Sequence, residues 1–128
     1  MTIDGVRVTE RGWAGHLIFA DACKFRRNTL LEYKDKKWVV STVGAMPASK
    51  YSFDKNENGF TTIGLGRYYE TMAFEAEKNG IYWKANVERQ IDFDSNWALD
   101  ECDFNSDQKA NEMHDKVVEE LIEKIKGE

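Results

Sequence analysis

The sequence predicts an α+β fold, in which a small antiparallel β-sheet is followed by a C-terminal amphipathic helix. Short β-rich runs separated by turn residues fill 1–93, an acidic irregular segment covers 94–105, and residues 106–126 carry a helical apolar period. A chain of 128 residues fits one domain, since domains commonly contain about 100 to 150 residues. We therefore expect a single domain over 1–128.

The N-terminal region predicts two short strands. Val6 and Val8 alternate with polar residues, and Trp13–Ala20 contains a more continuous apolar run. The turn between these strands is expected at Glu10-Arg11-Gly12.

The next region predicts a β-hairpin. Thr29–Tyr33 and Lys37–Val43 are rich in β-branched and aromatic residues, and they flank Lys34-Asp35-Lys36, a connection of hairpin length. Residues 44–66 contain the single proline and several glycines, which indicates a loop.

A second hairpin is predicted over 67–93. Arg67–Glu77 alternates in part, Asn79-Gly80 is a turn signal, and Ile81–Phe93 would be the return strand. A short helix over Tyr68–Lys78 is the alternative, because Met, Ala and Glu favour helices.

The last region predicts a helix of about five turns. The acidic segment before it is irregular apart from Trp97-Ala98-Leu99, and Ser106 is the expected N-cap, with Asp107 suited to the first turn. The apolar side chains of one face are Ala110, Met113, Val117, Leu121, Ile122 and Ile125. This stripe either lies across the sheet or packs against the same helix of a second copy, and we expect a dimer.

Composition excludes several classes of protein. Apolar runs are far shorter than the roughly 20 residues that cross a bilayer, and the N-terminal residues lack a signal-peptide pattern, so we expect a cytoplasmic protein with no membrane contact. The net charge of −5 makes duplex nucleic acid a poor partner. Cys23 and Cys102 are isolated and His16 lies far from His114, so we expect reduced thiols, no metal site and no cofactor.

Two stretches combine arginine with groups that could recognise a nucleotide. Arg26-Arg27-Asn28 lies in the basic half of the chain, and arginine can form paired hydrogen bonds with phosphate. Gly64-Leu65-Gly66 resembles part of a phosphate loop and precedes Arg67-Tyr68-Tyr69, a cation beside aromatic rings. The alternatives are solvated surface charges, an ordinary turn, and aromatic residues of the core.

Catalytic residues are not evident from the sequence. No serine or cysteine has a neighbouring histidine arranged as a nucleophile pair, and no two carboxylates stand out from the 23 acidic residues. We therefore expect a binding protein and no enzyme.

The chain from about Val6 to Lys126 resembles the phage proteins that defeat Thoeris defence by sequestering its cyclic ADP-ribose signal. The stretches that carry the resemblance are VRVTERGWAGH (6–16), FRRNTLLEY (25–33), VVSTVGAM (39–46), GRYYETMAFEA (66–76) and ANEMHDKVVEE (110–120). The resemblance implies a homodimer, assembled further into a hexamer in some forms, that grips glycocyclic ADP-ribose without cleaving it. Some members also bind cyclic oligonucleotides at a second site.

From residue chemistry we expect three kinds of ligand contact. Arginines would hold the pyrophosphate, aromatic rings would stack on adenine, and asparagines would bond ribose or base. The candidates are Arg26, Arg27 and Arg67; Tyr68, Tyr69, Tyr82 and Trp83; and Asn28 and Asn111. Two alternatives stay open: a hydrolase of the same cyclic nucleotide, and a protein-binding inhibitor whose acidic surface, with eleven Asp/Glu against four Lys over 94–128, mimics nucleic acid.

Overall fold

The computed structural model describes residues 1–11, 16, 22–50, 52 and 54–127. Within these ranges the chain forms strands followed by one long helix. Their bounds are β1 Thr2–Ile3, β2 Val6–Arg11, β3 Phe25–Tyr33, β4 Lys36–Gly44, β5 Met46–Pro47, β6 Phe60–Thr61, β7 Tyr69–Asn79, β8 Tyr82–Ile91, β9 Ala98–Leu99 and α1 Ser106–Lys126.

The strands form one main antiparallel sheet in the order β1-β2-β3-β4-β7-β8. β9 pairs with the start of β7, and β5 and β6 form a separate two-stranded sheet. The predicted α+β class, a small antiparallel sheet with a C-terminal helix, is confirmed.

The β3–β4 hairpin is confirmed, with Leu30 opposite Val39 and a turn that contains Lys34 and Asp35. The turn predicted at 10–12 is wrong for its first two residues, because Glu10 and Arg11 remain in β2 and pair with β3. Of the strand predicted over 13–20, His16 alone lies within the described residues.

Residues 69–79 form a strand, so the helix considered for 68–78 is wrong. Phe74 lies opposite Val39, and alternate residues of β7 enter the cores on the two sides of the sheet. Burial on both faces outweighs the helix propensity of Met, Ala and Glu. The return strand β8 is also confirmed, although 86–89 bulge out opposite Glu75.

Helix α1 lies across the sheet and contacts β3, β4 and β7. All six residues of the predicted apolar stripe are buried, together with His114 and Val118. The stripe is therefore covered by the chain's own sheet, and the expectation that it packs against a second copy is wrong. The N-cap is Asn105 and not Ser106, whose hydroxyl instead accepts a hydrogen bond from the Asp103 amide at 2.8 Å.

The C-terminal half of α1 fixes the acidic segment. Glu120 accepts hydrogen bonds from the amides of Asp94 and Ser95 at 2.7 and 2.8 Å. Burial opposes ionisation of Glu120, but these hydrogen bonds and that of the Ser95 hydroxyl lower its pKa to about 2. Among the described residues, no helix is both long and apolar enough to cross a membrane.

Candidate functional site

The sheet has two differently built faces. The helix face is covered by α1 and carries Leu31, Val40 and Ala73 at its centre. The far face carries Leu30, Val39 and Phe74 in one cross-strand row. Each face also holds one buried histidine within a polar cluster.

On the helix face, His114 joins a chain of hydroxyl groups. Its Nε2 lies 2.7 Å from Thr29 Oγ1, and its Nδ1 lies 2.7 Å from Thr42 Oγ1. Thr29 donates its proton to Glu10 at 3.0 Å, so Nε2 must donate to Thr29 and Nδ1 must accept from Thr42. Burial, aided by the Arg27 charge, lowers the pKa of His114 to about 3 and keeps the ring neutral.

Beside this cluster, Arg27 is held by protein groups. It forms ion pairs with Glu10 at 2.9 Å and Asp115 at 2.8 Å, and it donates to the Asn111 side chain at 3.3 Å. Two residues proposed separately as ligand contacts, Arg27 and Asn111, therefore contact each other. Their arrangement ties β2 and β3 to α1.

On the far face, a serine, a histidine and a carboxylate come together. Ser41 Oγ lies 2.9 Å from His16 Nδ1, and His16 Nε2 lies 4.0 Å from Glu70 Oε1. Burial lowers the pKa of His16 to about 4, so its ring is neutral at pH 7. The sequence shows no serine with a neighbouring histidine, and the fold supplies a distant one, because His16 reaches Ser41 from 25 residues away.

This trio lacks the access and the alignment of a hydrolytic site. Ser41 is fully buried in the middle of β4, where it pairs with Asn28 on one side and Met72 on the other. The separation of 4.0 Å between His16 and Glu70 exceeds hydrogen-bonding distance, so the carboxylate does not fix the imidazole as a triad acid does.

A cavity of about 240 Å³ lies where the pairing of β7 is interrupted. β8 pairs with β7 as far as Ala73, and β9 pairs with Tyr69 and Glu70. In the gap between them, the Thr71 amide donates to the Trp97 carbonyl at 2.7 Å. The cavity is lined by Arg67, Glu70, Thr71, Met72, Gln90, Ile91, Asp92, Phe93 and Trp97.

Arg67 and Trp97 are the distinctive pair of this cavity. The Arg67 guanidinium lies 5.1 Å from the centre of the Trp97 ring, and Trp97 is 44% exposed. Arg67 Nη2 also lies 3.5 Å from Glu70 Oε2, while its buried Nε has no hydrogen-bond partner among the described residues. The cavity is therefore lined by a cation and by an exposed aromatic ring.

The remaining predicted ligand residues are dispersed. Arg26 is exposed on the far face, where Val43 of β4 lies between it and Glu70 of β7. Asn28 is buried. Tyr69 is 1% exposed and donates to Asp107 at 2.8 Å, which makes it a link between sheet and helix. Tyr68 is half-buried near the start of β7.

Trp83 lies at the other end of the sheet, where the Lys37 ammonium sits 4.6 Å from its ring centre. Tyr82 begins β8 beside it, and its side chain lies outside the described part of the chain. The structure thus brings Arg67 to a cavity and leaves Tyr82 and Trp83 far along the sheet.

The glycine-rich stretch before Arg67 forms an ordinary turn. The Arg67 amide donates to the Gly64 carbonyl at 2.8 Å, and Gly66 has a φ of +80°, where glycine is favoured. Leu65 at its tip is 94% exposed. The turn places Arg67 two residues before β7, at the cavity.

Sequence reasoning missed the other side of the cavity. Gln90, Asp92, Phe93 and Trp97 line it. The available signal was Trp97, an indole within the acidic segment 94–105, which is neither strand nor helix by pattern. Both cysteines are buried free thiols, and the described residues contain no group of three or more His, Cys, Asp or Glu side chains suited to a metal ion.

Comparison with known proteins identifies no relative: no family model, no curated protein and no solved structure matches this chain.

Proposed function

We propose that the protein binds a cyclic nucleotide immune signal of the glycocyclic ADP-ribose type and sequesters it without cleavage. The observation that carries this proposal is the cavity in which the Arg67 guanidinium lies against the exposed Trp97 ring. The resemblance over 6–126 to phage anti-Thoeris proteins supports the same ligand class. In that setting the protein acts in the cytoplasm of an infected bacterium.

Each part of such a ligand matches a group in the cavity. The Arg67 guanidinium suits a phosphate oxygen, since arginine offers several directed donors. The exposed Trp97 indole suits a base, because stacking on an aromatic ring contributes about 1 to 3 kcal/mol per base. The carboxylates of Glu70 and Asp92 and the Gln90 amide can accept from ribose hydroxyls or the adenine amine.

The size of the cavity favours a site shared by two chains. Its volume of about 240 Å³ is below the range of about 300–1,000 Å³ that is typical of small-molecule sites. One chain would therefore enclose part of the cyclic ADP-ribose molecule, and a second copy would cover the rest. The exposed side chains of Leu65 and Trp97 near the cavity suit that contact. A homodimer, or a hexamer built from dimers, is accordingly part of the proposal.

Sequestration requires tight binding and no bond breaking. A nanomolar dissociation constant corresponds to about −12 kcal/mol. Charge, stacking and hydrogen bonding stabilise the bound ground state, whereas catalysis would need groups that favour the transition state.

Isothermal titration calorimetry with glycocyclic ADP-ribose tests this function. We expect nanomolar affinity for the protein and at least a hundredfold loss in Arg67→Ala. Arg89→Ala is the matched control, because Arg89 is 67% exposed and pairs with Glu75 at the surface, outside the cavity. Equal affinity in all three proteins would contradict the assigned site.

A hydrolase of the same ligand is a second candidate, which the contact between Ser41 and His16 favours. In that mechanism Ser41 would attack with His16 as the base. Ser41→Ala would then abolish breakdown of the ligand, and a fluorophosphonate reagent would label Ser41 in the unaltered protein. We expect neither result, because Ser41 is fully buried.

A further inference from the structure

A groove of about 350 Å³ runs between α1 and the N-terminal strands β1 and β2. Val8, Val118 and Ile122 form its almost fully buried floor, and its accessible apolar surface comes from Met1, which is 79% exposed, and Ile3, which is 37% exposed. Ile3 belongs to β1, the two-residue strand at the edge of the sheet. Apolar surface is thus accessible between an edge strand and a helix, far in the fold from the cavity at Arg67.

The rim of this groove is acidic. Two cations line it: the Arg27 guanidinium, which is already paired with Glu10 and Asp115, and the N-terminal ammonium of Met1, which donates to the Val8 carbonyl at 3.4 Å. Lys126 lies nearby and pairs with Asp4 and Glu123. The carboxylates that line the groove are Asp4, Glu10, Asp115, Glu119 and Glu123.

Glu119 differs from the other four carboxylates. It is exposed, and among the described residues it has no ion-pair or hydrogen-bond partner. Five carboxylates against three cations, namely Arg27, Lys126 and the Met1 ammonium, leave the rim with a net negative charge. A partner with positive charge is needed to complement it.

We propose that this groove docks a basic amphipathic helical segment of another protein. Apolar side chains spaced at i, i+3 and i+4 would enter between Ile3 and Ile122, as in other helix-in-groove complexes. Lysine or arginine side chains beside them would face Glu119 and the other rim carboxylates. This interaction is separate from ligand sequestration and does not depend on it.

A second copy of this chain does not fit the same groove symmetrically. A two-fold axis places identical patches against each other, so the acidic rims would meet. Like charges across an interface oppose association. The charge pattern therefore selects a basic partner.

The proposal is tested with a short fluorescein-labelled peptide of leucine and lysine whose leucines follow the i, i+3, i+4 pattern. Fluorescence anisotropy should show micromolar binding that weakens as salt is raised, because the contacts between charges are exposed. Glu119→Arg and Ile3→Asp should each weaken binding at least tenfold. Glu88→Arg, a charge reversal on the exposed bulge of β8, should leave it unchanged.

Three results would overturn the proposal: no binding up to about 1 mM, equal binding of a shuffled peptide with the same composition, or unchanged binding in both groove variants. Circular dichroism of each variant establishes that it is folded. Sedimentation velocity tests whether a second copy of this chain occupies the groove instead. If Glu119→Arg changed the oligomeric state of the protein, the groove would be an interface between copies, and this would contradict a basic partner.

Discussion

The Arg67 guanidinium lies 5.1 Å from the centre of the Trp97 ring, at the point where β7 loses its pairing with β8. A hydrogen bond from the Thr71 amide to the Trp97 carbonyl holds the indole there. Cation–π contacts contribute about 0.5 to 2 kcal/mol depending on exposure. The pair is therefore partly preorganised before a ligand arrives.

Replacement of this indole should weaken ligand binding strongly. We expect Trp97→Ala to lose at least tenfold in affinity for glycocyclic ADP-ribose by calorimetry, because both stacking and the orientation of Arg67 are lost. Trp97→Phe should retain part of the affinity. Trp83→Ala tests the other indole proposed from sequence; if it weakened binding more than Trp97→Ala did, the site would lie at the far end of the sheet.

The two buried histidines should make stability depend on pH. Their pKa values are about 4 for His16 and about 3 for His114 in the folded chain, below the value of 6.5 in an unfolded chain. The unfolded state therefore binds more protons below pH 6.5, so the free energy of unfolding should fall as pH falls from about 6.5 towards 4. Each histidine contributes a slope of up to roughly 1.4 kcal/mol per pH unit.

Urea denaturation at several pH values measures this slope. His114→Gln removes one titrating ring, and its slope between pH 6 and 4.5 should be lower than that of the unaltered protein by roughly 1 kcal/mol per pH unit. A slope that was the same in both proteins would show that His114 does not titrate as proposed.

Glu120 should stabilise the fold through the acidic segment. Glu120→Gln removes a charged acceptor of two amides and a hydroxyl. Hydrogen bonds to charged groups contribute about 1.5 to 3 kcal/mol each, so we expect a loss of about 2 kcal/mol or more in the free energy of unfolding at pH 7. Glu119→Gln, one residue away and exposed, is the control and should change it by less than about 0.5 kcal/mol.

Local features of the fold were predictable and distant ones were not. The β3–β4 hairpin follows from adjacent β-rich runs and a short polar turn. The continuation of β2 through Glu10 depends on pairing with Thr29, a contact that no local pattern encodes. The apolar face of α1 also could not show what covers it, because packing on the sheet and packing on the helix of a second copy would bury the same residues.

The candidate site was also predictable only where its residues are close together in sequence. Arg67 could be selected because it follows a glycine turn and precedes aromatic residues. Trp97 joins it through a gap in strand pairing, and His16, which precedes the β3–β4 hairpin in sequence, reaches Ser41 in the second strand of that hairpin. Contacts between segments that are distant in sequence bring these side chains together, and composition or spacing does not reveal such contacts.

The most direct measurement of sequestration is recovery of the bound ligand. The protein is mixed with excess glycocyclic ADP-ribose, unbound ligand is removed, the protein is denatured by heat, and the released material is analysed by mass spectrometry. We expect intact ligand in a fixed ratio to protein, with the same result for Ser41→Ala and a loss of recovered ligand in Arg67→Ala. Release of hydrolysed product, or turnover of many equivalents of ligand per chain, would contradict sequestration even if the ligand class were right.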